Sequence, residues 1–160
     1  MNRLLRLVHF NLDDRKYALF LSAVIRVIRV VEITSLPKAP EIVAGIINLQ
    51  GQVIPVFDIR MRFKLSAREV QLSDQMIIAT TARRTVALSV DSVTDVIEIP
   101  EEKIVAAEQI LPEPGYVEGV IKTEGGMVLI HDLEKFLSLP EEKALGEALE
   151  ALNRDDRNKE

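Results

Sequence analysis

Side chains able to do acid–base or nucleophilic chemistry are scarce in this sequence. It has two histidines, His9 and His131, and no cysteine in 160 residues. Thiol catalysis, disulfides and cysteine-bound zinc or iron–sulfur centres are therefore excluded. His131 stands next to Asp132, which supplies the residue types of a base and an orienting carboxylate. No Ser–His–Asp arrangement or metal-ligand spacing accompanies the pair, and His131 matches Phe57 in the repeat described below, so a packing role is expected. Asp58 and Asp132 recur at the same junction between a hairpin and a helical turn. A duplicated acid at a duplicated helix start is the pattern of an N-cap, whose carboxylate accepts from free backbone N–H groups. Neither G-x-G-x-x-G nor G-x-x-x-x-G-K-[ST] occurs, so no nucleotide site is indicated. No metal or cofactor is expected, and these counts favour a binding or scaffolding protein over an enzyme.

The basic residues group in two places: Arg26 with Arg29, and Arg60, Arg62, Lys64 and Arg68. Small barrels can bind nucleic acid through faces that are both basic and aromatic. Here there are two Tyr, five Phe, no Trp and a net charge of −5. The cluster therefore reads as solvated surface or as a contact for an acidic protein. The apolar start of the chain is interrupted by Arg6 and His9, which is unlike a signal peptide, and no apolar window is long enough to span a bilayer. A cytoplasmic protein without membrane insertion is the expectation.

Short runs rich in Val, Ile, Leu and Thr, bounded by Gly, Pro or charged turns, predict strands over Leu4–Leu12, Arg15–Leu21, Val27–Ile33, Ile46–Gln50, Val53–Phe57, Gln75–Thr81, Thr85–Val90, Val93–Ile99, Val117–Thr123 and Met127–Ile130. Ala67–Asp74 is polar and is expected to be a mobile loop. Residues 140–152 place Leu145, Leu149 and Leu152 on one helical stripe, read as a helix packed on the strands, with Arg154–Glu160 as a frayed polar tail.

An internal repeat organises these runs. Ile42–Phe63 lies over Tyr116–Leu137 without a gap at an offset of 74, matching Val43 to Val117, Gly45 to Gly119, Gly51 to Gly125 and Asp58 to Asp132. Tyr17-Ala18-Leu19 lies over Val86-Ala87-Leu88 at 69, and Val31-Glu32-Ile33 over Ile97-Glu98-Ile99 at 66. Gly51 and Gly125 fall where the hairpins call for positive φ. The reading is an all-β protein of two five-stranded barrels related by a pseudo-twofold, with halves centred on about residues 15–65 and 84–137. Barrels this small have meagre cores and must pack on each other.

The residues Leu36-Pro37, Pro40, Gly45-Ile46-Ile47-Asn48-Leu49, Gly51, Pro55 and Asp58 resemble the signature of the CheW-like chemotaxis coupling proteins. Tyr17-Ala18-Leu19 with Val24 and Val27, and Val90-Asp91 with Val93 and Val96, resemble two further segments of that family. The resemblance runs through residues 4–137. It implies a single domain over 1–139 made of two SH3-like barrels, followed by a short C-terminal helix and polar tail over 140–160. It also implies a non-enzymatic adaptor that couples the cytoplasmic tip of chemoreceptors to the regulatory domain of a CheA-type histidine kinase, with no nucleic-acid partner. A related adaptor for pilus motility is not distinguished from it. Carried over by position, the receptor- or kinase-binding residues are Val24, Arg26, Gly45, Asn48, Gln50 and Gly51. The family usually has Arg where this chain has Gln50, and often Glu where it has Arg26, the two forming an ion pair. An amide in place of a guanidinium loses the permanent charge, so a shifted partner specificity is expected.

Overall fold

The computed structural model describes residues 3–111 and 115–158, with side chains in the C-terminal helix described as far as Arg154. The strands are β1 (Leu4–Leu12), β2 (Arg15–Phe20), β3 (Val24–Arg29), β4 (Val43–Leu49), β5 (Gln52–Phe57), β6 (Gln75–Thr80), β7 (Thr85–Val90), β8 (Ser92–Pro100), β9 (Ile104–Ala106), β10 (Val117–Thr123) and β11 (Gly126–His131). Among the described residues, three α-helices, α1 (Ile59–Arg62), α2 (Ala107–Ile110) and α3 (Leu139–Asn158), accompany the strands with short 3-10 turns. The protein is all-β with two SH3-like barrels and a C-terminal helix. One sheet has the order β8-β1-β2-β11-β10-β9 and the other β3-β6-β7-β5-β4. The first holds six strands where five were expected, the sixth being the three-residue β9, which no sequence run predicted.

Neither sheet is built from one continuous half of the chain, which corrects the halves expected at 15–65 and 84–137. The hairpin β1–β2 is completed by β8, β11, β10 and β9, while β6–β7 is completed by β3, β5 and β4. The exchange follows from apolar residues on both faces of the two hairpins. Leu7 and Ala18 enter one barrel interior with Ile99, Ile121, Val128 and Ile130. Met76, Ile78 and Ala87 enter the other with Ile47, Ile54 and Val56. The alternate residues Phe10, Leu12, Tyr17, Leu19, Ile77 and Leu88 belong to the largest core, between the barrels. Strands with no polar face must be covered on both sides. Each hairpin is therefore a wall shared between its own barrel and the seam.

The repeat is exact in register. The parallel pair Val56–Ala87 is matched by Ile130–Ala18. Bulges fall at Val43/Gly45 and at Val117/Gly119. Arg26 pairs with Ile78 and Asp95 with His9, so β3 and β8 superpose at an offset of 69 in place of the 66 taken from Val31–Ile33. The predicted strand Val27–Ile33 is displaced accordingly. Beyond Arg29 the chain leaves β6, and Thr34 forms an isolated bridge to Ile46 on β4.

Both expected caps form. Asp58 accepts from the Met61 backbone N–H and Asp132 from that of Glu134, each at 3.1 Å. Helix α3 packs Leu145, Ala148, Leu149 and Leu152 on the central core. It is longer than the pattern indicated: the expected frayed tail is helical from Arg154 to Asn158, while residues 159–160 lie outside the described residues. Ala67–Asp74 is not a free loop either. Asp74 is buried, takes two hydrogen bonds from Arg68 at 2.8 and 3.1 Å and one from the Gln71 N–H at 2.9 Å, and so closes the loop on itself. In the second hairpin the positive φ falls on Gly126, one residue past the expected Gly125.

Gly45 has φ +154° and lies on the β4 bulge; a Cβ there would press on the Thr34 carbonyl oxygen and on Ile33. The Thr34–Ile46 bridge, with both N–H···O distances 2.8 Å, needs this closeness. Gly51 has φ +86° but open space around it. In urea unfolding, Gly45→Ala is expected to cost about 3 kcal/mol through strain and displaced backbone, and Gly51→Ala only about 1 kcal/mol.

Candidate functional site

Four of the six candidate residues lie on the hairpin β4–β5. Its register closes on Leu49–Gln52, and Gln50 and Gly51 both have positive φ, +53° and +86°. This is the two-residue turn whose twist suits a hairpin. Asn48 secures it by accepting from the Gly51 N–H at 2.9 Å. Gln50 and Gly51 are exposed at the tip, Asn48 is exposed beside them, and Gly45 is buried. Gly45 thus shapes the site through backbone placement.

Val24 and Arg26 lie on β3, at the opposite end of the sheet order from β4. Val24 is half-buried against the central core, and Arg26 is exposed. Among the described residues Arg26 makes no ion pair, and no hydrogen bond joins it to Gln50. The bulge between Val24 and Arg26 leaves Ile25 55% exposed. Sequence reasoning passed over Ile25, because only the register shift, absent from a strand pattern, turns it outward.

The basic cluster expected to be solvated surface or a contact for an acidic protein is mostly internal. Arg60 pairs with Asp13 at 2.8 Å and with Asp91. Arg68 pairs with Asp74 at 2.8 Å and with the same Asp91. Asp91 also accepts from the Asp13 backbone N–H at 2.7 Å. One carboxylate thus joins the β1–β2 turn, helix α1 and the 66–74 loop. Burial works to raise its pKa, but hydrogen bonds from Arg60 and Arg68 outweigh that and hold it below the usual value. Of the four clustered cations only Lys64 is exposed. The acidic partners come from distant points of the chain, which is why the spacing of the cations could not reveal them.

Arg62 clamps α3. It donates to both Glu141 oxygens at 2.7 and 2.8 Å and to the Tyr116 hydroxyl at 2.9 Å, with its guanidinium over the Tyr116 and Phe136 rings. His131 lies buried in the adjoining aromatic group, edge-on to Phe63 at 5.2 Å and tilted against Phe136 at 5.5 Å. Burial first, and the Arg62 charge second, push its pKa down to about 3. It is a neutral packing residue, like its repeat partner Phe57, which stacks on Phe136 at 4.5 Å. Asp132 is occupied as a cap, so the His131–Asp132 pair does not assemble a base.

Two adjoining depressions open beside these elements. One of about 170 Å³ is lined by Ile33, Ala44 and Val70 with Arg60, Arg68 and Asp91, whose charges are already paired. The other, of about 410 Å³, is lined by Val30, Val31, Ile33, Val70 and Leu72. Such surfaces suit protein contact better than acid–base chemistry.

A family model described as a CheW-like domain matches residues 6–141. The chain belongs to the CheW-like domain family. The chemotaxis protein CheW of Rhizobium meliloti (strain 1021) is 29% identical over 140 residues, covering 86% of this chain and 90% of that protein. The chemotaxis protein CheW of Klebsiella aerogenes is 28% identical over 144 residues, covering 85% and 82%. The crystal structure of the scaffolding protein TtCheW from Thermoanaerobacter tengcongensis matches with a TM-score of 0.78 and 32% identity, over 87% of this chain and 96% of that one. The matched residues end at Glu141, so most of α3 lies beyond the CheW-like domain, with Arg62–Glu141 at its boundary.

Two pH responses follow. The Asp91 pKa is lower in the folded state than its ordinary value of 3.8, so its contribution is complete above about pH 4 and fades as pH falls through the lowered value. Asp91→Asn is expected to cost about 2 kcal/mol in urea unfolding at pH 7, a deficit that shrinks below pH 4. The folded His131 pKa of about 3 is below its ordinary 6.5, so its contribution is whole above pH 6.5 and declines as pH falls toward 3. His131→Phe should remove that decline, sparing about 2 kcal/mol of the loss seen between pH 7 and pH 4.5. Equal slopes for the two proteins would refute it.

Proposed function

We propose that this protein is a chemotaxis scaffold of the CheW kind, a non-enzymatic adaptor that couples the cytoplasmic tip of chemoreceptors to the regulatory domain of a histidine kinase. The match of the CheW-like domain over residues 6–141 carries this reading. The chemistry of the chain agrees: its two histidines are a buried packing residue and the strand residue His9, and the carboxylates Asp58, Asp74, Asp91, Asp132 and Glu141 serve as caps or structural counterions. Receptor and kinase contacts are assigned to Val24 and Arg26 on β3 and to the β4–β5 hairpin that carries Gly45, Asn48, Gln50 and Gly51. Val24 is the half-buried apolar contact, Gly45 and Asn48 fix the hairpin, and Gln50 and Gly51 present its tip. The site of action is the cytoplasm, where both partners expose those parts, and no helix among the described residues is long and apolar enough to cross a membrane.

A nucleic-acid role is disfavoured because Arg60, Arg62 and Arg68 are already engaged by Asp13, Asp91, Glu141 and Asp74. The deciding measurement is retention of the purified protein on an immobilised kinase regulatory domain, and on a chemoreceptor cytoplasmic fragment, both from its own organism and at low salt. Saturable binding to both is expected, with micromolar or tighter affinity. No retention on either would overturn the assignment.

A further inference from the structure

Three of the large apolar side chains left exposed by this fold meet at one place. Val31, Val70 and Leu72 are 39%, 49% and 94% exposed, and all three line the depression of about 410 Å³ together with Val30 and Ile33. They come from two segments distant in sequence, the chain just beyond β3 and the 66–74 loop. Single exposed aliphatic side chains are ordinary on a protein surface, whereas a group of them around a hollow marks a contact surface. None of the six residues assigned to receptor and kinase contacts lines this hollow.

The loop is fixed on either side of its exposed side chains. Arg68, before them, donates to the buried Asp74 carboxylate, after them, at 2.8 and 3.1 Å. The Asp74 N–H donates to the Gln71 carbonyl at 2.9 Å, and the Val30 N–H donates to the Asp74 carbonyl at 3.2 Å. Both walls of the hollow are thereby joined through Asp74. Such bonds would equally hold a loop with polar side chains at 70 and 72, so they do not account for a valine and a leucine in water. A surface fixed in advance loses less conformational freedom when a partner binds it.

The charge around the hollow is one-sided. Glu32 lines it, Glu69 adjoins Val70 in the loop, and Asp58, Asp74 and Asp91 line the neighbouring depression of about 170 Å³. Among the described residues, the cations lining either depression are Arg60 and Arg68, and both are engaged by Asp13, Asp74 and Asp91. Glu32 and Glu69 are exposed and, among the described residues, have no ion pair. Acids therefore outnumber bases here, and the field attracts positive charge. A twofold contact between two copies of this chain would set those acids against their own kind.

We propose that the hollow docks a basic amphipathic segment of a further protein partner. An aliphatic side chain of that segment seats against Val31, Val70 and Leu72, and its Lys or Arg side chains face Glu32 and Glu69. The contact is separate from those assigned to receptor and kinase and does not depend on them.

The test follows backbone amide NMR shifts of the full-length protein as synthetic peptides are added at about 50 mM salt and again at higher salt. The peptides share one amphipathic helical pattern and are built from Leu and Lys, from Leu and Glu, or from Ser and Lys. The Leu/Lys peptide should bind with a Kd of about 100 μM, at least about tenfold tighter than the other two, and more weakly as salt rises. Its shifts should centre on residues 30–33 and 69–74. Leu72→Ser should weaken it about fivefold, and Glu32→Gln with Glu69→Gln about threefold. Met127→Ser, at an exposed apolar residue of the other barrel, should leave Kd within about twofold. Unchanged thermal unfolding of each variant excludes misfolding as the cause. No binding of the Leu/Lys peptide, equal binding of either other peptide, shifts centred elsewhere, or an unchanged Kd for Leu72→Ser overturns the proposal. A loss of affinity of Leu72→Ser for the chemoreceptor fragment or the kinase regulatory domain overturns it too, since the hollow then belongs to the adaptor contacts. A wild type that binds neither of those fragments, yet binds the Leu/Lys peptide at the hollow, removes the adaptor reading alone and supports this one.

Discussion

Four strands without a polar face govern this molecule. In β1, β2, β6 and β7 the side chains on one face fill a barrel and those on the other fill the seam between barrels. A hairpin of that kind exposed on either side would leave several large aliphatic side chains in water, at about 25 cal/mol per Å² of apolar area. The pseudo-twofold pairing resolves this by giving each hairpin the remaining strands of the opposite half. The two halves of the chain consequently stand or fall together, because neither supplies a complete sheet by itself.

Given that interlock, the ionic groups fall into place as fasteners. Asp91 lies just past β7, where the chain crosses from one sheet to the other, and gathers Arg60, Arg68 and the Asp13 backbone. Arg62 does the same for the C-terminal helix through Glu141 and Tyr116. Pairs of this kind are expensive to break, since loss of one partner strands the other charge in a poorly solvated place. Their cost also explains why little ionisable material is left for chemistry. A scaffold requires rigid surfaces at fixed separation, and a set of charges spent on holding turns and helices against barrels provides them.

Much of the architecture was readable because a repeat registers twice. The glycine on the β4 and β10 bulges and the aspartate caps recur at one offset, and each recurrence marks a backbone constraint: close approach at Gly45, free N–H groups after Asp58 and Asp132. His131 was legible as a packing residue for the same reason, since its counterpart is Phe57. The basic run at 60–68 was misread because charge spacing says nothing about counterions from Asp13, Asp91 and Glu141. The loop ending at Asp74 was misread similarly: its polar composition is that of a mobile segment, yet Asp74 is buried and folds the loop around itself.

The order of apolar runs, the duplicated turns and caps, the lack of reactive side chains and the membership of the CheW-like family were determined by the amino-acid sequence alone, because they depend on local periodicity and on residues near in the chain. Which half completes which barrel, which charges are neutralised and which remain open were decided only in three dimensions. Strand exchange brings Asp95 and Glu98 beside His9 and Arg6 but sets Arg26 and Arg29 beside Ile78 and Gln75. Arg6 and Glu98, 92 residues apart along the chain, become counterions, whereas Arg26 and Arg29 meet no acid across the ladder, and only its register, with its bulges, settles which.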